Sequence, residues 1–430
     1  DIVYANTVVE HGELLVEVTN KQQNLRLQQI VQLIKSSEFH QSKQQKQLME
    51  KADGLVKYNF IGMALTYLFT RSVSKALTFL LVDYSCALKL SSPATYLTAI
   101  KAASNQGIVI KGSNSLDEYA QVDTFVFDKT GTLTTGVPKI QRIIAYEGYD
   151  DEEVLRIAAC LEEHFYHPIA TAVVKKAEDE GIEHEEMHGK LTHVASKGIV
   201  SSIDGKRVVI GSLELLEDEK TIISNEQKAV IEEYSQKYNL LYLSYDGKLI
   251  AIFLIDTPLR GEAIALLKEL KEKGKQIVLL TGDTQKRTET ICSLIPFDRV
   301  YTQVKPEQKH QVIEQLQEEG HHVLMIGDGI NDSAALSLAN VGIVMAGASD
   351  IARQASDILF LNEQLTGLEV LENITEQLNR QLDANLKHTV GINSFLMGLG
   401  LIDVVSPSLL AVLHNVTTTF IIGKSLTYIQ

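Results

Sequence analysis

The stretch Thr124–Thr134, TFVFDKTGTLT, constrains the fold of this 430-residue chain more than any other. Its first half is apolar and rich in β-forming residues, which predicts a buried parallel strand. Asp128 follows that strand, at the carboxyl end where open α/β sheets bind their ligands. Lys129, Thr130 and Gly131 then form a turn whose hydroxyl and N–H groups can hold a phosphate. An isolated aspartate usually only caps such a turn, but an aspartate in this setting can also act as a nucleophile and form an aspartyl-phosphate.

Composition narrows the class of protein. The net charge is −15, which argues against a nucleic-acid partner, so any phosphate must be recognised locally. The cysteines are only Cys86, Cys160 and Cys292, which predicts no disulfide framework and a reducing compartment. A hydrophobic content of 45% is enough for several buried cores.

Alternating strand and helix patterns indicate one doubly wound α/β domain with a second domain inserted after its first strand. The insert, 141–247, combines acidic helices with short strands. Apolar stretches at 54–69 and 76–99 precede this region, and stretches at 389–402 and 409–422 follow it. Two apolar helical hairpins around a polar insert predict an integral membrane protein.

Two further strands of the predicted sheet end in motifs that can bind phosphate or a cation. Thr281-Gly282-Asp283 follows the strand 276–280, and Asp328 follows the strand 323–326. If the strands are parallel, these segments meet Asp128, and Lys309 can offset the remaining phosphate charge. The carboxylates of Asp128 and Asp328, with the Thr130 carbonyl, then make a Mg²⁺ site. Each motif alone is explained by ordinary turn chemistry, but the occurrence of all of them in this order along the chain is not explained in that way.

Together these motifs resemble those of the P-type ATPases, and specifically the heavy-metal-transporting class (type IB). DKTGTLT is similar to the family's phosphorylation signature, and GDGIND, from Gly327, completes the resemblance. The resemblance implies an α/β haloacid-dehalogenase-like doubly wound phosphorylation domain, an inserted α+β nucleotide-binding domain and α-helical membrane segments. The catalytic residues that it implies are Asp128, Lys129, Thr130, Thr281, Gly282, Asp283, Lys309, Asn331 and Asp332, with Asp128, Thr130 and Asp328 on Mg²⁺.

The resemblance also implies an order of domains. The family's TGE loop and first two membrane helices would precede Asp1, so we interpret the chain as the C-terminal two-thirds of such a protein. Asp256 and Arg260 resemble the family's hinge between the inserted and core domains. The implied segments are the end of an actuator domain (1–20), a stalk helix (21–53), a transmembrane hairpin (54–100), the phosphorylation domain (101–140 and 249–384), the nucleotide-binding domain (141–248) and a second transmembrane hairpin (385–430).

The inserted domain is predicted to bind ATP. His167-Pro168 begins the predicted helix 169–178, and such a pair alone marks only a helix start. In the type IB class this pair contacts the nucleotide, and a glutamate lies five residues earlier, as Glu162 does here. The class usually has a G-x-G in the strand meander, of which this chain keeps only the second glycine. The implied ATP contacts are Glu162, His167, Pro168, Gly198 and Gly211.

The transport site implied by the resemblance departs from the family pattern. The class has a Cys-Pro-Cys-like triplet in the membrane helix before the phosphorylation domain, where this chain has Tyr84-Ser85-Cys86. Because Cu(I) prefers paired soft ligands, one thiolate disfavours a copper pump. Polar groups at membrane depth are candidates for ligands, although Asp83 is equally an entry-path carboxylate. We predict a divalent ion (Zn²⁺, Mn²⁺, Fe²⁺ or Co²⁺) held by Cys86, Ser85, Asp83, Asn393 and His414.

The resemblance therefore implies ATP-driven export of a divalent transition-metal ion by a multi-pass protein of a bacterial plasma membrane. Its partners would be ATP, the metal ion, membrane lipid and a cytosolic metal donor, with no nucleic acid. One alternative is a soluble haloacid-dehalogenase-type phosphatase. Such an enzyme needs a second acid two residues after the nucleophile, where this chain has Thr130. The other alternative is a non-catalytic metal-binding membrane protein. Such a protein would not need the phosphorylation motifs, and their presence in intact form argues against it.

Overall fold

The computed structural model describes residues 43–429, apart from residues 147, 166, 184–186 and 196. The predicted end of an actuator domain (1–20) and most of the predicted stalk helix (21–53) lie outside these residues. Contacts divide the chain into two units. Among the described residues, the first unit contains Phe127–Glu269 and Ile277–Lys305, and the second contains residues 43–126, Leu270–Gln276 and residues 306–429.

Strands and helices alternate along most of the chain. The strands are β1 (Ile108–Ile110), β2 (Thr124–Asp128), β3 (Lys139–Ala145), β4 (Thr192–Val194), β5 (Gly198–Ile203), β6 (Lys206–Gly211), β7 (Asn239–Tyr245), β8 (Lys248–Asp256), β9 (Gln276–Leu280), β10 (Arg299–Tyr301), β11 (Val323–Gly327), β12 (Val341–Val344) and β13 (Ile358–Phe360). The helices are α1 (Lys43–Thr70), α2 (Val73–Leu81), α3 (Ser85–Asn105), α4 (Ser113–Gln121), α5 (Asp151–Glu162), α6 (Pro168–Asp179), α7 (Leu213–Asp218), α8 (Asn225–Ser235), α9 (Ala263–Glu272), α10 (Gln285–Leu294), α11 (Lys309–Glu318), α12 (Ser333–Leu338), α13 (Asp350–Ala355), α14 (Gly367–Leu401) and α15 (Pro407–Ser425).

The larger sheet has seven strands in the order β1-β13-β12-β11-β2-β9-β10. β9 and β10 pair in parallel, as do β11, β12 and β13, whereas β1 closes the edge antiparallel to β13. Every residue of β2 and of β11 is buried, which explains their continuous apolar runs. The non-sequential strand order is that of a doubly wound α/β sheet.

The smaller sheet has six strands in the order β3-β8-β7-β6-β5-β4, and it lies in the first unit. Its neighbouring strands are antiparallel. Successive residues of β8 point to opposite faces, and both faces are covered. Phe253 packs in one core with Leu155 of α5, and Ile252 packs in another with Leu216 of α7. The apolar run of β8 is therefore explained by helices on both sides of the sheet.

The first predicted hairpin forms three helices, α1 to α3, and not two. α1 ends before Arg71, whose φ of 56° turns the chain, and Ser72 caps α2. A second break follows α2, where the Asp83 carboxylate accepts hydrogen bonds from the backbone N–H groups of Ser85 and Cys86. The predicted stretch 76–99 is therefore interrupted, because Asp83 starts a new helix at Ser85.

α14 and α15 form an antiparallel pair joined by a turn in which Asp403 has a φ of 57° and Ser406 caps α15. Their buried faces carry polar side chains, and their exposed faces carry large apolar ones. The buried set includes Asn385, Thr389, Asn393 and His414, and the exposed set includes Phe395, Val412, Val416 and Phe420.

Among the helices of the described residues, none combines the length and the apolar composition that crossing a membrane requires. The membrane placement predicted for residues 54–100 and 385–430 is not confirmed by this finding.

Candidate functional site

Asp128 ends β2 as a buried side chain, and a tight loop follows it. Gly131 turns this loop with a φ of 74°, a conformation that favours glycine. The Thr134 hydroxyl accepts a hydrogen bond from the Gly131 N–H (3.1 Å), and the Thr134 N–H donates to the Lys129 carbonyl (3.1 Å). These bonds close the loop on itself, so the backbone next to Asp128 has a fixed conformation.

Arg260 anchors the same loop, a role that the sequence analysis missed. Its Nε donates to the Thr132 carbonyl (2.7 Å), and its guanidinium also donates to the Gly131 carbonyl (3.0 Å). The residue is 7% exposed. The sequence assigned Arg260 only to a hinge, and its position 128 residues after Thr132 gives no local signal of this contact.

Thr281 and Asp283 follow β9 as predicted, in the same unit as Asp128. The Thr281 hydroxyl is buried and accepts a hydrogen bond from the Asp283 N–H (3.1 Å). The Asp283 carboxylate forms an ion pair with Lys129. The structure therefore brings Lys129 and the Thr281-Gly282-Asp283 motif together.

Lys309 and Asp332 form a buried ion pair in the second unit. The Lys309 Nζ and the Asp332 Oδ1 are 2.6 Å apart, and the side chains are 8% and 2% exposed. A Cβ on Gly327 would lie 2.7 Å from the Asp332 Oδ2, so only glycine allows this carboxylate its position. Asp328 follows β11 and is half-buried, whereas Asn331 is exposed. A role for Asn331 stays a prediction.

The predicted ATP-binding residues all lie in the first unit. His167 caps α6, because its Nδ1 accepts a hydrogen bond from the Ile169 N–H (3.3 Å), and Pro168 begins the helix. Gly198 and Gly211 face each other across β5 and β6. A Cβ on Gly198 would lie 2.2 Å from the Ile210 carbonyl, so close backbone approach requires glycine here. These observations give His167 and both glycines a structural role, and their ATP contacts stay a prediction.

Glu162 ends α5 as a buried carboxyl, and this burial raises its pKa to about 7. Near neutral pH the carboxyl is thus partly protonated, and a protonated carboxyl can donate a hydrogen bond as well as accept one. A nucleotide base presents both donors and acceptors along its edge. The environment of Glu162 therefore suits base recognition.

We expect Glu162→Gln to stabilise the protein in a pH-dependent way. The raised pKa means that the folded state keeps its full stability below pH 4.5, the ordinary pKa, and loses stability as the pH rises through about 7. Glutamine removes this titration. Urea unfolding should give equal stabilities at pH 4 and a gain of about 3 kcal/mol for the variant at pH 8. Glu178→Gln, at an exposed position of α6, is the matched control, and its stability should stay within about 0.5 kcal/mol of the wild type.

The predicted transport residues are only partly brought together. The Asn393 side chain donates to the Asp83 carbonyl (2.9 Å), and its Oδ1 lies 3.4 Å from the His414 Nδ1. The Ser85 hydroxyl donates to the Asp83 carboxylate (2.6 Å). Asp83, Ser85, Asn393 and His414 therefore form one connected polar cluster, which joins α3, α14 and α15.

Cys86 adjoins this polar cluster, because its backbone N–H donates to the Asp83 carboxylate (3.2 Å), and its role as an ion ligand stays a prediction. Its side chain is exposed, and within the part of the chain that the structure describes, Asp83, Cys86 and His414 do not place three ligand atoms within 4.8 Å of one another. The exposure of the Cys86 side chain follows from its position on the helix. Asp83 starts α3 so that Ser85 faces inward, and Cys86, the next residue, lies about 100° further around the helix.

Comparison with known proteins defines the family. A family model described as haloacid dehalogenase-like hydrolase matches residues 122–340. The chain therefore belongs to the haloacid dehalogenase-like hydrolases, which confirms the predicted fold of the α/β part. A crystal structure of a zinc-transporting PIB-type ATPase is similar with a TM-score of 0.75 and 23% identity, over 94% of this chain and 67% of that chain.

Curated relatives narrow the resemblance further. A zinc-exporting P-type ATPase from Mycobacterium marinum is 34% identical over 374 residues, which are 86% of this chain and 51% of the relative. A manganese-exporting P-type ATPase from Mycobacterium bovis is 33% identical over the same share of this chain and 52% of its own length. The chain thus spans about half the length of the curated relatives it matches. The predicted resemblance to heavy-metal P-type ATPases is confirmed.

Proposed function

We propose that this chain is the catalytic part of a P-type ATPase that exports a divalent transition-metal ion. The observation that carries the proposal is Asp128, a buried carboxylate at the end of β2 with its following loop fixed by Arg260. A nucleophile needs such a fixed position because a misplacement of about 1 Å costs most of the benefit of orientation. The zinc- and manganese-exporting relatives support the reaction class.

In the proposed reaction, an Asp128 carboxylate oxygen attacks the γ-phosphorus of ATP. The bond from that phosphorus to the β,γ-bridging oxygen breaks, and ADP leaves with the electron pair. Water later attacks the aspartyl-phosphate and releases phosphate, which restores the Asp128 carboxylate. Lys129, held by Asp283, supplies positive charge near the transferred group. The Thr281 hydroxyl and the Gly282 N–H would hold its oxygens.

The donor set proposed for Mg²⁺ fits that ion. Asp128, Asp328 and the Thr130 carbonyl offer only hard oxygen atoms, which Mg²⁺ prefers. Their strands, β2 and β11, are neighbours in the order of the larger sheet. When bound, Mg²⁺ would neutralise phosphate charge. Lys309, paired with Asp332, fixes that acidic side chain and limits the negative charge around Asp328.

We propose that Glu162, His167 and Pro168 contact the nucleotide, with Gly198 and Gly211 shaping the adjoining strands. The Nδ1 of His167 is engaged as a helix cap, so its Nε2 is the atom available to ATP. The raised pKa of the buried Glu162 carboxyl supports a base contact, because the protonated form can donate a hydrogen bond.

For the transported ion, we propose the ligands Asp83, Ser85, Cys86, Asn393 and His414. One thiolate with oxygen and imidazole donors suits Zn²⁺, Mn²⁺, Fe²⁺ or Co²⁺ better than Cu(I). The helices that carry the set have polar buried faces and apolar exposed faces, which supports placement in a membrane. A cytosolic metal donor remains part of the proposal.

We expect His414→Ala to reduce metal stimulation of ATP hydrolysis by at least about tenfold, because it removes the imidazole that faces Asn393. The measurement is ATPase activity of the full-length protein in detergent, across Zn²⁺, Mn²⁺, Fe²⁺, Co²⁺ and Cu⁺. His388→Ala is the matched control, since His388 is exposed on α14. Equal activity of both variants with every metal would reject this ligand set, and stimulation by Cu⁺ alone would reject the predicted metal class.

A further inference from the structure

A second group of metal-ligating side chains lies in the first unit, outside the proposed transport and phosphorylation sites. Glu163 and His164 lie in the turn after α5, and His188 pairs with Ile203 in an isolated bridge. One ligand atom from each of Glu163, His164 and His188 lies within 4.8 Å of the others. The His164 Nε2 is 3.3 Å from a Glu163 carboxylate oxygen, and the two imidazole rings are perpendicular, 5.2 Å apart.

The hydrogen bonding of His188 points to a ligand. Its Nδ1 lies 2.9 Å from the Gly189 carbonyl, which can only accept, so the Nδ1 must carry the proton and donate. In this tautomer the Nε2 is unprotonated and carries a lone pair. Within the described residues, this atom is buried and has no hydrogen-bond partner. A histidine whose Nδ1–H donates to a backbone carbonyl is the form that ligates metals through Nε2.

Both sides of the group are held by the backbone. The Gly189 N–H donates to the Ser202 carbonyl (2.7 Å), which fixes the chain beside His188 to the smaller sheet. The Glu163 N–H donates to the Ala159 carbonyl of α5 (3.0 Å). Both halves of the group are therefore fixed to regular structure before any ion binds, which lowers the cost of binding.

We propose that Glu163, His164 and His188 bind one divalent transition-metal ion of the zinc class. Two imidazole nitrogens and one carboxylate oxygen are a common ligand set for Zn²⁺, and they leave a fourth position for water. Bonds of about 2.0–2.1 Å in a tetrahedron place neighbouring ligand atoms about 3.3 Å apart. The Glu163–His164 pair already has this separation. The ion would connect the turn after α5 to the strand region of His188.

The test uses the full-length protein in detergent and Co²⁺ as a spectroscopic probe. Equilibrium dialysis should show that His188→Ala binds one Co²⁺ equivalent fewer than the wild type, or binds it at least tenfold more weakly. The visible absorption of tetrahedral Co²⁺ should fall in parallel. His310→Ala, a histidine of α11 outside the group, should keep both signals.

Glu163→Gln separates ligation from packing, because it leaves His188 and its bond to Gly189 untouched. We expect this variant to weaken Co²⁺ binding by at least tenfold as well. Unchanged Co²⁺ stoichiometry and affinity in His188→Ala, or in Glu163→Gln, would overturn the proposal. Equal losses in His310→Ala would also overturn it, since that variant leaves all three ligands in place.

Discussion

Asp128→Asn is expected to abolish labelling of the protein by ATP that carries a labelled γ-phosphate. The carboxamide has nearly the same shape, so the buried site and the loop anchored by Arg260 should persist. It is not a nucleophile, however, and no aspartyl-phosphate can form. The labelled intermediate should be stable in acid and cleaved by hydroxylamine in the wild type. In the variant we expect this labelling to be weaker by about 10³-fold or more.

Asp246→Asn makes the same chemical change at an exposed turn residue with a φ of 51°, a conformation that asparagine tolerates. This control should be labelled as strongly as the wild type. Labelling that survives in Asp128→Asn would show that another residue accepts the phosphate, and the proposed function would then fail at its first step.

Lys309→Ala is expected to cost about 3–5 kcal/mol of stability, because it leaves the buried Asp332 carboxylate without its partner. The ion pair is almost fully removed from water, so solvent cannot replace the lost contact. Urea unfolding of the wild type and the variant at neutral pH would measure the difference.

Lys305→Ala is the control for this change, since Lys305 is exposed and lies four residues before Lys309. Its stability should stay within about 0.5 kcal/mol of the wild type. If both variants unfold at the same urea concentration, then the Lys309–Asp332 pair does not stabilise the fold. Asp332→Asn should also destabilise the protein, because it leaves the Lys309 ammonium buried without its counter-charge.

The motifs could be located from the sequence because each one is local. β2 and β11 are short apolar runs, and the residues that follow them are set by the ends of the strands. The His167-Pro168 pair likewise begins a helix through contacts within four residues. Local contacts of this kind can be predicted from a single sequence. The comparisons confirm the family that these motifs indicated.

Two features could not be predicted because they depend on distant contacts or on helical phase. Arg260 donates hydrogen bonds to two backbone carbonyl groups in the loop after Asp128. Every residue has such a carbonyl, so the sequence does not indicate which of them a distant side chain contacts. The direction of Cys86 depends on the residue at which α3 begins. Because Asp83 fixes the start of α3, Ser85 faces inward and Cys86 faces outward. A helix that began one residue later would turn Cys86 inward.

The antiparallel pair of β1 and β13 has a mechanical consequence for the second unit. α3 ends at Asn105, just before β1, and α14 begins at Gly367, soon after β13. Ile108 pairs with Phe360, and the Leu361 N–H donates to the Gly107 carbonyl (2.8 Å), so both helices are attached to one hydrogen-bonded pivot. Asn393 lies about 39 Å along α14 from its start. A tilt of about 5° at the pivot would displace Asn393 by about 3 Å, which is enough to break its hydrogen bond to Asp83.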